Sequence, residues 1–264
     1  MSLNIKAIKP NQPLLLDHRF VYSSQQFDIC IANTPKLREE VFRIRYQVYC
    51  QELKYEPLSK FPDKLEQDAY DSCSIHLLLR YKPKNIYIGC VRLVLSSDGF
   101  QQRFPFERIC DEHFLDFNCI PRSYFGEVSR LAVLSHFRQW NQKQTIYSGD
   151  FNQYDNKFTR RSLSIIPLTL YLAVTSIVSD LNLQYAISLM EPRLSRQLKL
   201  YGLNSYFCGE IMEFKGKRRL FLLNTSEAIN NISKDIYLYN LFQRIQANIK
   251  MDDCTNILNG EFYG

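Results

Sequence analysis

The stretch YFGEVSRLAV, residues 124–133, carries two full charges, Glu127 and Arg130, inside a run that otherwise reads as a buried strand. An ion taken out of water costs several kcal/mol unless it is compensated. The same oddity recurs elsewhere. Arg92 sits inside IGCVRLVL, Asp68 and Asp71 stand in EQDAYDS just ahead of another apolar strand, and Arg45 lies in FRIRYQVY. Taken singly, each charge could face water from a half-solvated sheet. Taken together they form a set in which each cation lowers its neighbours' desolvation cost, and such networks within sheets mark sites of chemistry. Glu127 is then a candidate general base, and Arg130, Arg45 and Arg92 are candidates to order the carboxylates or to grip an acceptor's own carboxylate. Strict alternation puts Glu127 and Ser129 on one face and Arg130 on the other. A bulge near residues 128–130 would bring both charges to one side, and the sequence leaves these two arrangements open.

The elements that must position these residues follow from periodicity and punctuation. FDICIANT (27–34) alternates as a first strand. Thr34-Pro35 opens a helix running to about residue 51, with Thr34 as N-cap. After a polar segment, 52–72, the stretches 74–81 and 86–97 read as a hairpin around KPKN. A short helix near 105–114 precedes the strand 125–134, and 135–161 reads as a long polar loop. An apolar helix over 162–181, a strand at 183–190 and a helix at 191–202 bounded by Pro192 and Gly202 come next. Two strands, 205–214 and 218–224, and a C-terminal helix over 226–249 close the order β α β β β α β α β β α. Hairpins early and alternation late imply an α/β (α+β) fold with a mixed sheet and helices on both faces. No linker is visible, so the chain 1–264 reads as one domain, with residues 1–26 as an irregular arm.

Composition narrows the function classes. The net charge of +6 is too diffuse to indicate a nucleic-acid partner. Eight cysteines without a CxxC pair argue against a metal site such as zinc. With no apolar leader in MSLNIKAIKPNQP, free thiols and a cytoplasmic location are the simplest expectation. The most apolar stretch, 163–178, contains Pro167 and falls short of the ~20 residues that span a bilayer. That leaves at most a transient membrane contact. His76 and His136 are isolated, so no Ser-His-Asp set is apparent.

The series Arg45-x3-Tyr49-x5-Tyr55, Asp68-x2-Asp71, Arg92 in a strand, and Glu127-x-Ser129-Arg130 resembles the motifs of the autoinducer (acyl-homoserine-lactone) synthases. RYQVYCQELKYE together with MEPRLSRQLKLYG looks closer to a sister group, the PEP-CTERM/exosortase-associated acyltransferases, which also resemble N-acyl amino acid synthases. The resemblance spans roughly residues 36–223 and implies the GNAT N-acyltransferase fold, a mostly antiparallel sheet splayed at its centre. Tyr55 stands where the synthases carry Trp, and inserts follow residues 98 and 140.

The resemblance implies transfer of a fatty acyl group from a thioester to the amine of an amino acid or similar small acceptor. Arg45, Tyr49, Tyr55, Asp68, Asp71, Arg92 and Ser129 would bind substrate, with Glu127 and Arg130 catalytic. Backbone N–H groups at Leu131, Ala132 and Val133 would hold the pantetheine arm and polarise the carbonyl. SHFRQWNQKQ lacks the glycine-rich loop that cradles a CoA pyrophosphate. An acyl-carrier protein is therefore favoured over CoA as carrier of the acyl-phosphopantetheine co-substrate. Arg138, Arg160, Arg161, Arg193, Arg196 and Lys199 would steer that acidic partner. No bound cofactor is expected. Alternatives are a homoserine-lactone synthase using S-adenosylmethionine and a non-catalytic sensor of carrier protein or lipid. An acyl tunnel lined by Phe and Tyr fits the 14% aromatic content.

Overall fold

The computed structural model describes residues 24–96, 103–110, 120–138 and 164–249. Its seven strands are β1 (Phe27–Ile31), β2 (Ser74–Tyr81), β3 (Ile86–Leu95), β4 (Phe125–Val133), β5 (Tyr185–Met190), β6 (Ser205–Glu213) and β7 (Lys217–Asn224). They form one sheet in the order β1-β2-β3-β4-β5-β7-β6. Every pairing is antiparallel except β4 with β5. That parallel pair is short: Phe125, Gly126 and Glu127 meet Tyr185, Ala186 and Ile187, and beyond Glu127 the strands part. The fold is thus a GNAT-like α/β fold whose sheet splays at its centre.

Helix α1 (Pro35–Tyr46) begins where Thr34 Oγ1 accepts a hydrogen bond from Leu37 N, 3.3 Å, with proline in the first turn. It ends in a π-helical stretch, Gln47–Glu52, a distortion that is frequent at functional sites. Val41, Ile44 and Val48 pack on Leu78, Cys90 and Ala132, covering one face of the first half of the sheet. The other face holds the main core. There lie α3 (Ile165–Asp180), which is apolar nearly all round, as a buried helix must be, and α6 (Ile236–Asn248). One-turn α2 is Ser135–Arg138; α4 is Pro192–Lys199, closed by Gly202 at φ +75; α5 is Thr225–Ile232. Among the described residues no helix is long and apolar enough to cross a membrane.

Two expectations change. The C-terminal helix is two helices. Asp235 accepts from Tyr237 N and Leu238 N, both 2.9 Å, and starts α6 anew after α5 ends at Ile232. The short helix near 105–114 is a single 3₁₀ turn, Pro105–Arg108. Residues 139–161 of the expected polar loop lie outside the described residues, as do residues 1–23 of the arm.

Candidate active site

The unresolved choice at Arg130 is decided by a bulge. Cys90 pairs with Ala132 and Arg92 with Ser129, so two steps on β3 span three on β4. The extra residue is accommodated by Arg130 in the left-handed region, φ 54. For a residue with a Cβ that conformation is disfavoured by roughly 1–2 kcal/mol. It turns the guanidinium to the α1 face, where Ser129 already points. Just before it, Gly126 allows the close approach of β3: a Cβ there would come within 2.7 Å of Leu93 Cδ1.

On that face three arginines and three carboxylates alternate in a closed ring. Arg45 binds Glu66 through Nε and Asp71 through Nη1 (2.7 Å). Arg92 Nη1 binds Asp71 at 2.7 Å and Asp68 at 2.6 Å. Arg130 binds Asp68 through Nη2 (2.9 Å) and Glu66 through Nε (3.2 Å), closing the circuit. Arg92 Nε also donates to Ser129 Oγ, 3.1 Å, and Asp68 N donates to Asp71 Oδ2, 2.7 Å. Arg45 and Arg92 are 0% exposed. Burial alone would raise the Asp71 and Asp68 carboxyls, but the guanidiniums outweigh it and hold both below the usual range. Arg45, Asp68, Asp71, Arg92 and Arg130 are therefore brought together. Glu66, which completes the ring, escaped the reading of the sequence because it sits in the polar segment 52–72. Its one signal is its place two residues ahead of Asp68.

Glu127 stands outside this ring. It is 3% exposed, and Phe106 N donates to its Oε2 at 2.9 Å. Burial pushes its carboxyl up to about 8, only partly offset by the Phe106 N–H, Arg92 and Arg130. The segment 104–110 covers it, with Phe104 and Phe106 packed among Tyr70, Val94, Phe125 and Ile187. That cover is clamped by a bidentate Arg122–Glu107 pair. His76 is buried beside the ring, Nε2 3.5 Å from Asp71 Oδ1, and burial lowers it to about 3, so it is neutral at ordinary pH. His136 is exposed on α2.

Among the described residues no strand pairs with the edge of β4 beyond Glu127. Leu134 N donates to Ile88 O at 3.0 Å. Alternation then turns the backbone of Ala132 toward β3 and that of Leu131 and Val133 into the gap. Of the three expected backbone donors, Ala132 is therefore corrected: its N–H belongs to the β3 ladder. The carbonyls of the other two accept from side chains, Leu131 O from Tyr49 OH (2.8 Å) and Val133 O from Arg138 Nε (2.8 Å). Tyr49 stacks on Tyr55 at 6.3 Å and lies under Arg130. On the α3 face the same divergence leaves an apolar crevice of about 30 Å³, lined by Val128, Tyr171, Met190, Leu198, Phe221 and Leu223 among others. That is room for about one water, and the lining is more aliphatic than aromatic.

Of the expected docking cations, Arg193 and Arg196 are exposed on α4 and Lys199 is partly so. Arg138 is engaged with Glu52 and Val133. Arg160 and Arg161 lie outside the described residues. No group of residues suited to a metal ion occurs among the described residues.

Residues 44–148 match the acetyltransferase (GNAT) domain family. The crystal structure of TofI in a ternary complex with an inhibitor and MTA aligns with a TM-score of 0.55 at 16% identity, covering 80% of this chain and 99% of that one. BjaI, described as a CoA-dependent acyl-homoserine lactone synthase with SAM and isopentyl-CoA, gives 0.54 at 16% identity, covering 88% and 99%. FeeM, an N-acyl amino acid synthase from uncultured soil microbes, is a weaker likeness: 0.48 at 12% identity, covering 78% and 94%. At such identities the likeness is one of fold. No curated protein matches the sequence.

Proposed function

We propose that this protein is a GNAT-type acyltransferase that moves a fatty acyl group from a phosphopantetheine thioester to the amine of an amino acid or similar small acceptor. The observation that carries this reading is the position of Glu127. It is the last β4 residue paired to β5, at the root of the gap, with its carboxyl raised to about 8. An α-amine also titrates near about 8, so proton transfer between the two is close to even in free energy.

The step runs as follows. The amine nitrogen attacks the thioester carbonyl carbon, a C–N bond forms, the C–S bond breaks and the electron pair leaves on sulfur. Glu127, in its ionised fraction, takes the proton from the attacking nitrogen, directly or through a water, and delivers it to the thiolate, which regenerates the carboxylate. Leu131 N–H and Val133 N–H, turned into the gap, are the donors for the pantetheine arm and the developing oxyanion; one such donor is worth about 3–4 kcal/mol. The ring of arginines and carboxylates holds Arg130 and Ser129 beside Glu127, and with Tyr49 and Tyr55 it forms the acceptor side. The apolar crevice suits the acyl tail once its walls part.

The exposed cations of α4 support an acidic acyl-carrier protein as donor, and the missing glycine-rich loop argues in the same direction. The BjaI structure with SAM and isopentyl-CoA keeps CoA as donor and a lactone product as outcomes to be tested. A cytoplasmic location, expected from the unpaired cysteines, and an association with PEP-CTERM/exosortase systems, implied by the sequence resemblance, complete the proposal.

Mass spectrometry of lipid extracts from an overexpressing host tests the reading. An acyl-amide is expected from the parent and should be lost in Glu127→Gln. A lactone would replace this reading with the synthase one. No new product, together with tight binding of carrier protein, would make the chain a sensor. Turnover by Glu127→Gln equal to the parent's would remove Glu127 as base.

A further inference from the structure

The gap between β4 and β5 is closed over by a contact from the far edge of the sheet. β7 runs antiparallel to β5, and Arg219 pairs with Met190, so the turn between β6 and β7 lies at the end where the two halves of the sheet diverge. This turn is shaped by Lys215 at φ 52 and Gly216 at φ 96, and fixed by Phe214 N donating to Gly216 O (2.9 Å) and Arg218 Nη2 to Lys215 O (3.2 Å). From it Lys215 pairs with Glu56, in the loop that follows α1 on the first half of the sheet. Its ammonium also lies 6.0 Å from the Tyr55 ring centre. Tyr55 N and Glu56 N both donate to Tyr49 O, 2.7 and 3.2 Å, and the Tyr49 hydroxyl holds Leu131 O on the open edge of β4. One continuous chain of contacts therefore runs from the β6–β7 turn to the rim of the gap.

We infer that the β6–β7 turn bridges the mouth of the gap, and that Lys215 and Glu56 are positioning residues controlling how a thioester arm enters and leaves. The inference rests on the proposed use of the gap by a thioester. With the bridge in place a ligand threads beneath it; without it the same gap is an open groove. Glu56 also pairs with Lys60 at 2.9 Å. Burial tends to raise the Glu56 carboxyl, but the two lysines outweigh it and hold it ionised below its ordinary range. A partly exposed pair of this kind is weak enough to open and is sensitive to salt.

The test uses the full chain with Lys215→Ala and Lys215→Arg. Amide hydrogen exchange over residues 53–61 is read without ligand, with β2 and β3 as the control for folding. Stopped-flow association and dissociation are read with decanoyl-pantetheine and decanoyl-CoA as probes. Lys215→Ala should speed exchange over 53–61 and raise both rate constants about fivefold with little change in Kd, the size expected for one such ion pair; Lys215→Arg should restore both. Unchanged exchange over 53–61 would overturn the bridge, and faster exchange with unchanged binding rates would overturn its control of entry. If the parent binds neither probe, the thioester reading fails by itself, and the exchange measurement alone decides whether the bridge exists.

Discussion

Asp71 and Glu127 are both carboxyls nearly out of water on the same face of the same sheet, and their environments drive them in opposite directions. Asp71 accepts from Arg45 and Arg92 and is held well below the usual carboxylate range. Glu127 receives the Phe106 N–H, pairs with no cation among the described residues, and is raised to about 8. The difference is one of partners, since both are buried. Inside a protein the charged form survives where a guanidinium touches it and is lost where only apolar groups do. The ring is thus a scaffold with fixed charges, three positive and three negative, and Glu127 is the group left free to exchange a proton.

The strongest way to break this contrast is Asp71→Asn. It leaves the fully buried Arg45 and Arg92 each facing a neutral amide. Removing one member of a buried ion network costs about 3–5 kcal/mol. Urea unfolding should show that loss, whereas the same change at the half-exposed Glu39 of the Glu39–Arg43 pair should cost under about 1 kcal/mol. Equal losses at the two sites would mean that the ring is solvated and not a scaffold.

Glu127→Gln sharpens the other side. The folded-state carboxyl titrates near about 8 and the unfolded one near 4.5, so between those values the native protein holds the extra proton. Parental stability should therefore fall as pH rises through that window and level off above it. Gln mimics the protonated acid, so the variant should match the parent near the bottom of the window. At the top it should exceed the parent by on the order of 2–4 kcal/mol. Parallel stability curves for the two proteins would show that Glu127 stays ionised throughout.

The contrast also separates what the sequence revealed from what it hid. Arg45, Asp68, Asp71, Arg92, Glu127 and Arg130 stood out because each is a charge inside or next to an apolar run. Glu66 did not, because its neighbours Lys64, Gln67 and Asp68 make it look like solvated loop; only the fold shows it reaching under α1 to Arg45. The bulge was legible as a choice but not as an outcome, since the residue with positive φ is an arginine and not the glycine that usually marks such a site. The paired strands, α1 and α3 followed from period and caps. The break between α5 and α6 was missed because the apolar pattern continues across it, although Asp235 is a fitting N-cap. The cover of Glu127 by Phe106 joins residues far apart in the chain, and no local pattern encodes it.

Tyr49 offers the finest probe of the border between the two regions. Its ring lies under Arg130 of the ring, while its hydroxyl serves the open edge of β4 by donating to Leu131 O. Burial pushes the phenol well above its ordinary range, so it stays a neutral donor at any working pH. Tyr49→Phe keeps the ring face for Arg130 and removes only the donor, leaving one carbonyl of the unpaired edge without its partner. A net hydrogen bond of this kind is worth about 1 kcal/mol. The loss in unfolding free energy should be of that size and independent of pH, unlike the Glu127→Gln difference. If the edge of β4 is the seat of the thioester arm, the variant should also bind decanoyl-pantetheine with a changed Kd. A carbonyl freed there competes for the same amides. An unaltered Kd would place the arm away from Leu131.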